Sequence, residues 1–185
     1  MYYVIQVAPG TESRTEELIR RRVDSGLYGR CFHPLRHVRR KLRGEWRDVH
    51  EKLIPGYVFL TSTSIEELYQ ALRQVPSFTR LLGREEGDLF LPLPEKEAAW
   101  LEQITGGGTE ASLSLVKVIE GDGIRILSGP LKDMEGRIRK INLHKRTAEV
   151  EVDFMNRKTV VHLGIEMVGK GSGPPKGNEP AQEKT

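Results

Sequence analysis

The chain has 185 residues, with 29 Lys and Arg against 26 Asp and Glu, and a formal net charge of +3. That length buries one moderate core or two small ones, and so slight a positive balance means that any polyanion contact has to come from local clustering. Cys31 is the only cysteine, which excludes an internal disulfide and a cysteine-rich metal site and fits a reducing cytoplasm.

The opening MYYVIQVAPG lacks the basic start and long apolar core of a signal peptide, and no apolar run approaches about 20 residues. A cytoplasmic protein without a membrane segment is expected. YYVIQVAP is a β-branched and aromatic run that reads as a buried strand ending at Pro9 and Gly10. A helix follows, with Ser13 and Glu16 at capping-box spacing, Leu18, Ile19 and Val23 on one face, and Gly26 where the helix stops. CFHPLRHVRR and GEWRDVHEKL flank a break at Arg43 and Gly44, the pattern of a long hairpin. PGYVFLTS is the next strand, entered at Pro55 and Gly56. Ser64 and Glu67 repeat the capping-box spacing, and Leu68, Leu72 and Val75 recur at helical intervals before Pro76. SFTRLLG reads as a returning strand and EKEAAWLEQIT as a third helix. This order is that of an α+β sandwich.

The composition changes at Gly106. GGGTEASLSL is small and polar, and a flexible stretch of about ten residues spans roughly 20 Å, so it is expected to be a tether. GIRIL, RIRKI, AEVEVDF and KTVVHL are short alternating runs separated by turn residues, the signature of a small β-barrel. The layout expected is therefore a first domain over 1–105, a flexible linker over 106–116, a barrel over 117–169 and a disordered tail over 170–185, where GKGSGPPKGNEPAQEKT has no periodicity.

Within GDGIRILSGPLKDMEGRIRKI, Gly129 precedes Pro130, whose ring fixes φ, and Gly136 closes the loop where a side chain is expected to meet a neighbouring strand. Leu131 and Met134 lie in a turn expected to be exposed, either folded back as a lid on the barrel or forming a docking patch. This stretch resembles the KOW motif of the NusG family of transcription elongation factors. KLIPGYVFL and PSFTRLLG resemble that family's N-terminal (NGN) signature. The likeness covers the chain up to about Gly169. YYVIQVAPG and the Leu131/Met134 pair depart from the housekeeping pattern, so the chain looks most like specialised operon-specific paralogs such as LoaP.

The resemblance implies an NGN sandwich followed by an SH3-like KOW barrel, and a first domain that grips the clamp helices of the RNA polymerase largest subunit. By that likeness Tyr57, Phe59, Tyr69 and Phe78 are the polymerase-binding candidates. Tyr69 is expected to be the exposed member, because it points about 100° away from Leu68 on its helix. The turn carrying Leu131 and Met134, with Phe154 and Met155, corresponds to the surface that docks NusE or Rho. Phe154 continues the phase of Val150 and Val152, which is equally the pattern of a core residue.

The basic segments are read from the residues themselves. Arg36, Arg39, Arg40, Lys41, Arg43 and Arg47 crowd the hairpin around Trp46, able to pair phosphates and stack a base, or else simply to guard a strand edge. In the family this region faces upstream DNA. Arg137, Arg139, Lys140, His144, Lys145, Arg146, Arg157 and Lys158 gather at barrel hairpin ends and suit the backbone of a nascent RNA hairpin, although Glu149, Glu151 and Asp153 lie close enough to neutralise them.

No nucleophile elbow, phosphate loop or carboxylate pair is found, so no enzyme is expected, and no cofactor. His33 and His37 lie in a strand with the lone Cys31 but no carboxylate near them in sequence, so no metal is expected. The function this implies is a monomeric elongation and processive antitermination factor, with a ribosome-associated or RNA-binding KOW protein as the alternative.

Overall fold

The structure, a computed structural model, describes residues 1–76, 80–81, 92–119 and 123–168. Phe78, most of SFTRLLG and the tail over 170–185 lie outside the described residues.

The first unit is built on β1 (Tyr2–Gln6), followed by α1 (Glu12–Arg22), β2 (Cys31–Phe32), the hairpin β3 (Leu35–Leu42) and β4 (Glu45–Lys52), β5 (Tyr57–Thr61) and α2 (Ile65–Leu72). After β6 (Arg80–Leu81) comes α3 (Glu95–Thr105). The central sheet runs β2-β5-β1-β6, with β1 antiparallel to β5 from Tyr2↔Thr61 to Gln6↔Tyr57. Period-2 alternation gives this sheet two apolar faces. Tyr3, Ile5, Val58 and Leu60 pack with Ile19, Leu68 and Leu72 of the helices, while Val4, Phe59 and the half-buried Tyr2 and Tyr57 point the other way.

Helix α1 starts earlier than the Ser13/Glu16 spacing predicts. Its N-cap is Thr11, which makes no side-chain cap bond. The fully buried Glu12 carboxylate takes that place, accepting from Gly10 N at 2.9 Å and Gly56 N at 2.7 Å and pairing with Lys52. Burial pushes this carboxyl up, but the Lys52 ammonium and the Gly56 N–H outweigh it and hold the group below the usual carboxylate range. Ser13 and Glu16 instead turn to His33. The helix ends at Arg22, ahead of Gly26, which lies in a separate short 3-10 turn. Ser64 is the N-cap of α2 but makes no side-chain cap bond there. Helix α3 has the bounds that EKEAAWLEQIT predicts, stopping at Gly106 in the left-handed region, φ 59°.

The stretch expected to be a tether carries regular structure. β7 (Glu110–Ala111) lies parallel beside β3, giving a three-stranded sheet β4-β3-β7, and β8 (Ser114–Ile119) begins only three residues later. Arg30 reinforces the connection by donating to Glu102 at 3.0 Å and to Gly108 O at 2.6 Å. The polar, glycine-rich composition hid this, because a two-residue strand has no periodicity to detect.

The second unit continues with β9 (Gly123–Ser128), β10 (Ile138–Asn142), β11 (Thr147–Phe154) and β12 (Arg157–Met167) in the order β10-β11-β12-β8-β9. β9 and β10 are the two edges of this sheet, so it is a half-barrel. The sequence expectation about the turn needs correcting. Gly129 makes the close approach: its φ is 91°, and a Cβ there would lie 2.6 Å from Ser114 Cα, whereas a Cβ at Gly136 would meet open space. Pro130–Arg137 winds as a 3-10 turn, and Leu131 N donates to Ser114 Oγ at 3.0 Å. The winding folds Leu131 and Met134 back, so both are buried; their placement matches the folded-back alternative and not an exposed patch.

Candidate functional site

The two units meet across the second face of the central sheet. Phe154, at the end of β11, inserts edge-on against Tyr57 (centroids 5.0 Å apart) and Trp100 (6.4 Å), and tilts against Phe59 at 5.8 Å. Phe59 stacks in turn on Phe32 at 6.0 Å. Such pairs add about 0.5–1.5 kcal/mol each beyond burial. Tyr57 and Phe59, two of the residues expected to bind polymerase, are thus brought together with Phe154, expected to dock a partner, and they cover one another.

Helix α3 fastens the half-barrel with polar bonds. Trp100 Nε1 donates to Asp153 O at 2.7 Å, and Gln103 Nε2 to Asp133 O at 3.1 Å. The buried Glu97 accepts from Met155 N at 2.7 Å and Asn156 N at 3.2 Å, where Met155 and Asn156 turn the chain with φ 52° and 60°. The Met155 side chain is partly buried against the same cluster. Glu97 and Trp100 were not among the sequence candidates. Their signal was a carboxylate interrupting the apolar face of α3 three residues before a tryptophan, a pattern that a satisfied buried acid shares with an exposed one.

At the other end the hairpin lies against β12. The carbonyl of His37 comes so close to Gly164 that a Cβ on that glycine would lie 2.2 Å from the oxygen and 3.0 Å from Val38 Cα. Glycine inside the alternating KTVVHLGIEM strand was the available sequence signal for such an approach. Arg36 donates to His162 O at 2.9 Å and to Glu51 at 2.7 Å. Glu166 of β12 accepts from Arg39 and from Arg146, the latter at 2.9 Å, and the Arg146 guanidinium lies 4.0 Å from the Trp46 ring centroid. Arg36 and Arg39 are therefore not free exposed charges, and the ring of Trp46 already carries a cation. Arg40 is held by Glu51 through Nε and Nη2, at 2.7 and 2.8 Å. That bond to Arg40 leads the forces that hold the Glu51 carboxyl below its ordinary range against burial, with Arg36 adding to it. Lys41 and Arg43 at the hairpin tip are exposed, as is Arg47, which lies 3.5 Å from Glu45.

On the half-barrel, acids spend part of the basic cluster. Arg139 pairs with Glu151, and Lys158 with Asp153 at 2.8 Å. Arg137, Lys140, His144, Lys145 and Arg157 are exposed. Tyr69 stands apart from all of this, half-buried against the cluster on the opposite face of the central sheet. His33 faces Glu16, while His37 stacks on His50 at 5.1 Å. Among the described residues no group of three or more His, Cys, Asp or Glu is arranged to hold a metal. No described helix is long and apolar enough to cross a membrane.

The architecture is an α+β sandwich joined to an SH3-like half-barrel, with basic strands at the junction. The chain belongs to the NusG family: residues 1–102 match the family described as transcription termination factor nusG. It is similar to the transcription termination/antitermination protein NusG of Thermus thermophilus, 28% identical over 181 residues that cover 91% of this chain and 97% of that one. The protein of the same name from Vibrio parahaemolyticus is 26% identical over 173 residues, covering 91% and 94%. A solved structure described as "Domain interaction in Thermotoga maritima NusG" aligns with a TM-score of 0.55 at 26% identity, covering 88% of this chain and 92% of that one. The chain is thus a member of a family of transcription termination and antitermination factors, which are not enzymes.

Proposed function

We propose that the chain is a transcription elongation and antitermination factor whose first unit binds the clamp helices of RNA polymerase through the sheet face bearing Tyr57 and Phe59. The observation that carries this reading is the apolar sheet face of Tyr57 and Phe59, which α1 and α2 leave uncovered and which is closed jointly by Trp100 of α3 and by Phe154 of the second unit. Polymerase binding and barrel closure then compete for one face, and the resting chain is closed. On release, the turn of Leu131 and Met134, with Phe154 and Met155, becomes the surface offered to a protein such as NusE or Rho. The hairpin tip at Lys41, Arg43 and Arg47 faces upstream DNA, and the exposed barrel cations, Arg157 among them, face nascent RNA.

The test uses the full chain immobilised and challenged with core RNA polymerase. Gly164→Val forces a methyl-bearing side chain against the His37 carbonyl and Val38 backbone, which cannot yield, and so separates the units. In a Trp46→Phe background, the emission of the otherwise buried Trp100 should shift to the red on opening. Polymerase retention should then rise, and adding Tyr57→Ala should lower it again about tenfold. An opened, folded variant that retains no more polymerase than wild type overturns the reading.

A further inference from the structure

Between the hairpin and the half-barrel lies an open cleft of about 270 Å³. Arg36 and Arg40 of β3 form one wall, and Lys140, Lys145, Glu149 and His162 of the half-barrel form the other. We infer that this cleft holds the phosphodiester backbone of single-stranded RNA, gripped from both units at once. The inference rests on the proposed reading of the barrel's basic edge as a nucleic-acid surface.

The charge count favours an anion. Four cations line the cleft, against the Glu149 carboxylate in it and the Glu51 carboxylate shared by Arg36 and Arg40, which leaves an excess of two before His162 is counted. Lys140 faces Glu149 in the strand register, while Lys145 is exposed on the turn after Asn142, whose side chain accepts from its backbone N–H at 2.9 Å. The remaining lining is Asn142 and Thr147, so every lining side chain is polar. No apolar side chain lines the cleft to anchor a peptide side chain. A phosphate backbone requires only cations and hydrogen-bond donors at intervals, which this cleft supplies.

The two walls belong to different units, so the site exists only in the closed arrangement. By linkage, RNA held there stabilises closure, and closure raises affinity for RNA by the same factor. The same strand of RNA would therefore hold the factor off polymerase, in contrast to contacts made by the half-barrel alone, which opening leaves intact.

The experiment measures fluorescence anisotropy of a labelled oligouridylate against the full chain, with folding of each variant checked by circular dichroism. Gly164→Val should bind at least fivefold more weakly than wild type. Phe154→Ala, which loosens the joint from its other end, serves as a second opened form and should weaken binding in the same direction. Arg40→Gln should cost about fivefold in the closed chain and lower the salt slope by about 0.7 for a single-strand phosphate contact. The same substitution should cost almost nothing in the opened chain. Equal affinity of closed and opened chains, or an Arg40→Gln loss of the same size in both, overturns the composite cleft. If affinity then still falls on Arg157→Gln, the barrel-edge reading survives alone, whereas oligouridylate binding that no variant alters removes both. An oligoglutamate that binds as tightly as the oligouridylate overturns the assignment to phosphate.

Discussion

The two faces of the central sheet are covered in different ways. Behind Tyr3, Ile5, Val58 and Leu60 sit α1 and α2, joined to the sheet by short connections and packed through Ile19, Leu68 and Leu72. Over Tyr57 and Phe59 sit α3 and the half-barrel, which has strands, turns and buried residues of its own. Loss of the first cover is expected to unfold the unit, and loss of the second to separate two bodies that each keep their backbone pairing. A face whose cover arrives from a second body can be exchanged for a partner at the cost of the joint alone, and the contrast can be broken or sharpened by substitution.

The largest effect belongs to the permanent cover. Leu68→Ala, at a fully buried position, should cost about 3 kcal/mol in global stability, read as a lower melting temperature by far-UV circular dichroism. Phe154→Ala removes a side chain of similar burial, yet its contacts with Tyr57, Phe59 and Trp100 all cross the joint. Trp100 emission should therefore shift to the red with little change in helical melting. A fall in helical melting equal to that of Leu68→Ala would show that the two covers are energetically one.

Glu97→Gln keeps one acceptor oxygen but loses the charge that receives both Met155 N and Asn156 N. It should weaken the joint by about 1–2 kcal/mol, measured as an earlier opening transition in a urea titration of Trp100 emission. Glu51 adds a pH dependence. Its folded carboxyl lies below the ordinary range, so its contribution is present above the unfolded value and is lost as pH falls through the folded one. Chain stability should drop on acidification in that window, and Glu51→Gln should flatten the drop. The smallest effect is expected from Arg43→Glu at the exposed hairpin tip, within about 0.5 kcal/mol of wild type. Charge reversal at Arg39 should cost more, because Glu166 would lose a partner across the joint.

The sequence by itself determined the elements with strong periodicity and clear punctuation. The hairpin with its break at Arg43 and Gly44, α2 and α3, the strand of Tyr57 and Phe59, and the strands from Gly123 to Met167 all follow from alternation, helical spacing, proline and glycine. It also marked the basic hairpin and the basic barrel edge, because charge density is a local property. The tertiary structure alone decided which of those residues are spent. Arg36 and Arg39 meet the half-barrel, Trp46 lies beneath Arg146, and Leu131 and Met134 turn inward on a 3-10 winding that periodicity does not announce. Glu97 reaches two backbone N–H groups about 58 residues away in sequence, and Gly164 admits a carbonyl from a strand more than a hundred residues earlier. Such contacts depend on how one folded body is laid against another. Short-range spacing carries no information about that placement, because a buried carboxylate, an open glycine and an aromatic strand end read the same whether their partner is solvent, another protein or the other half of the same chain.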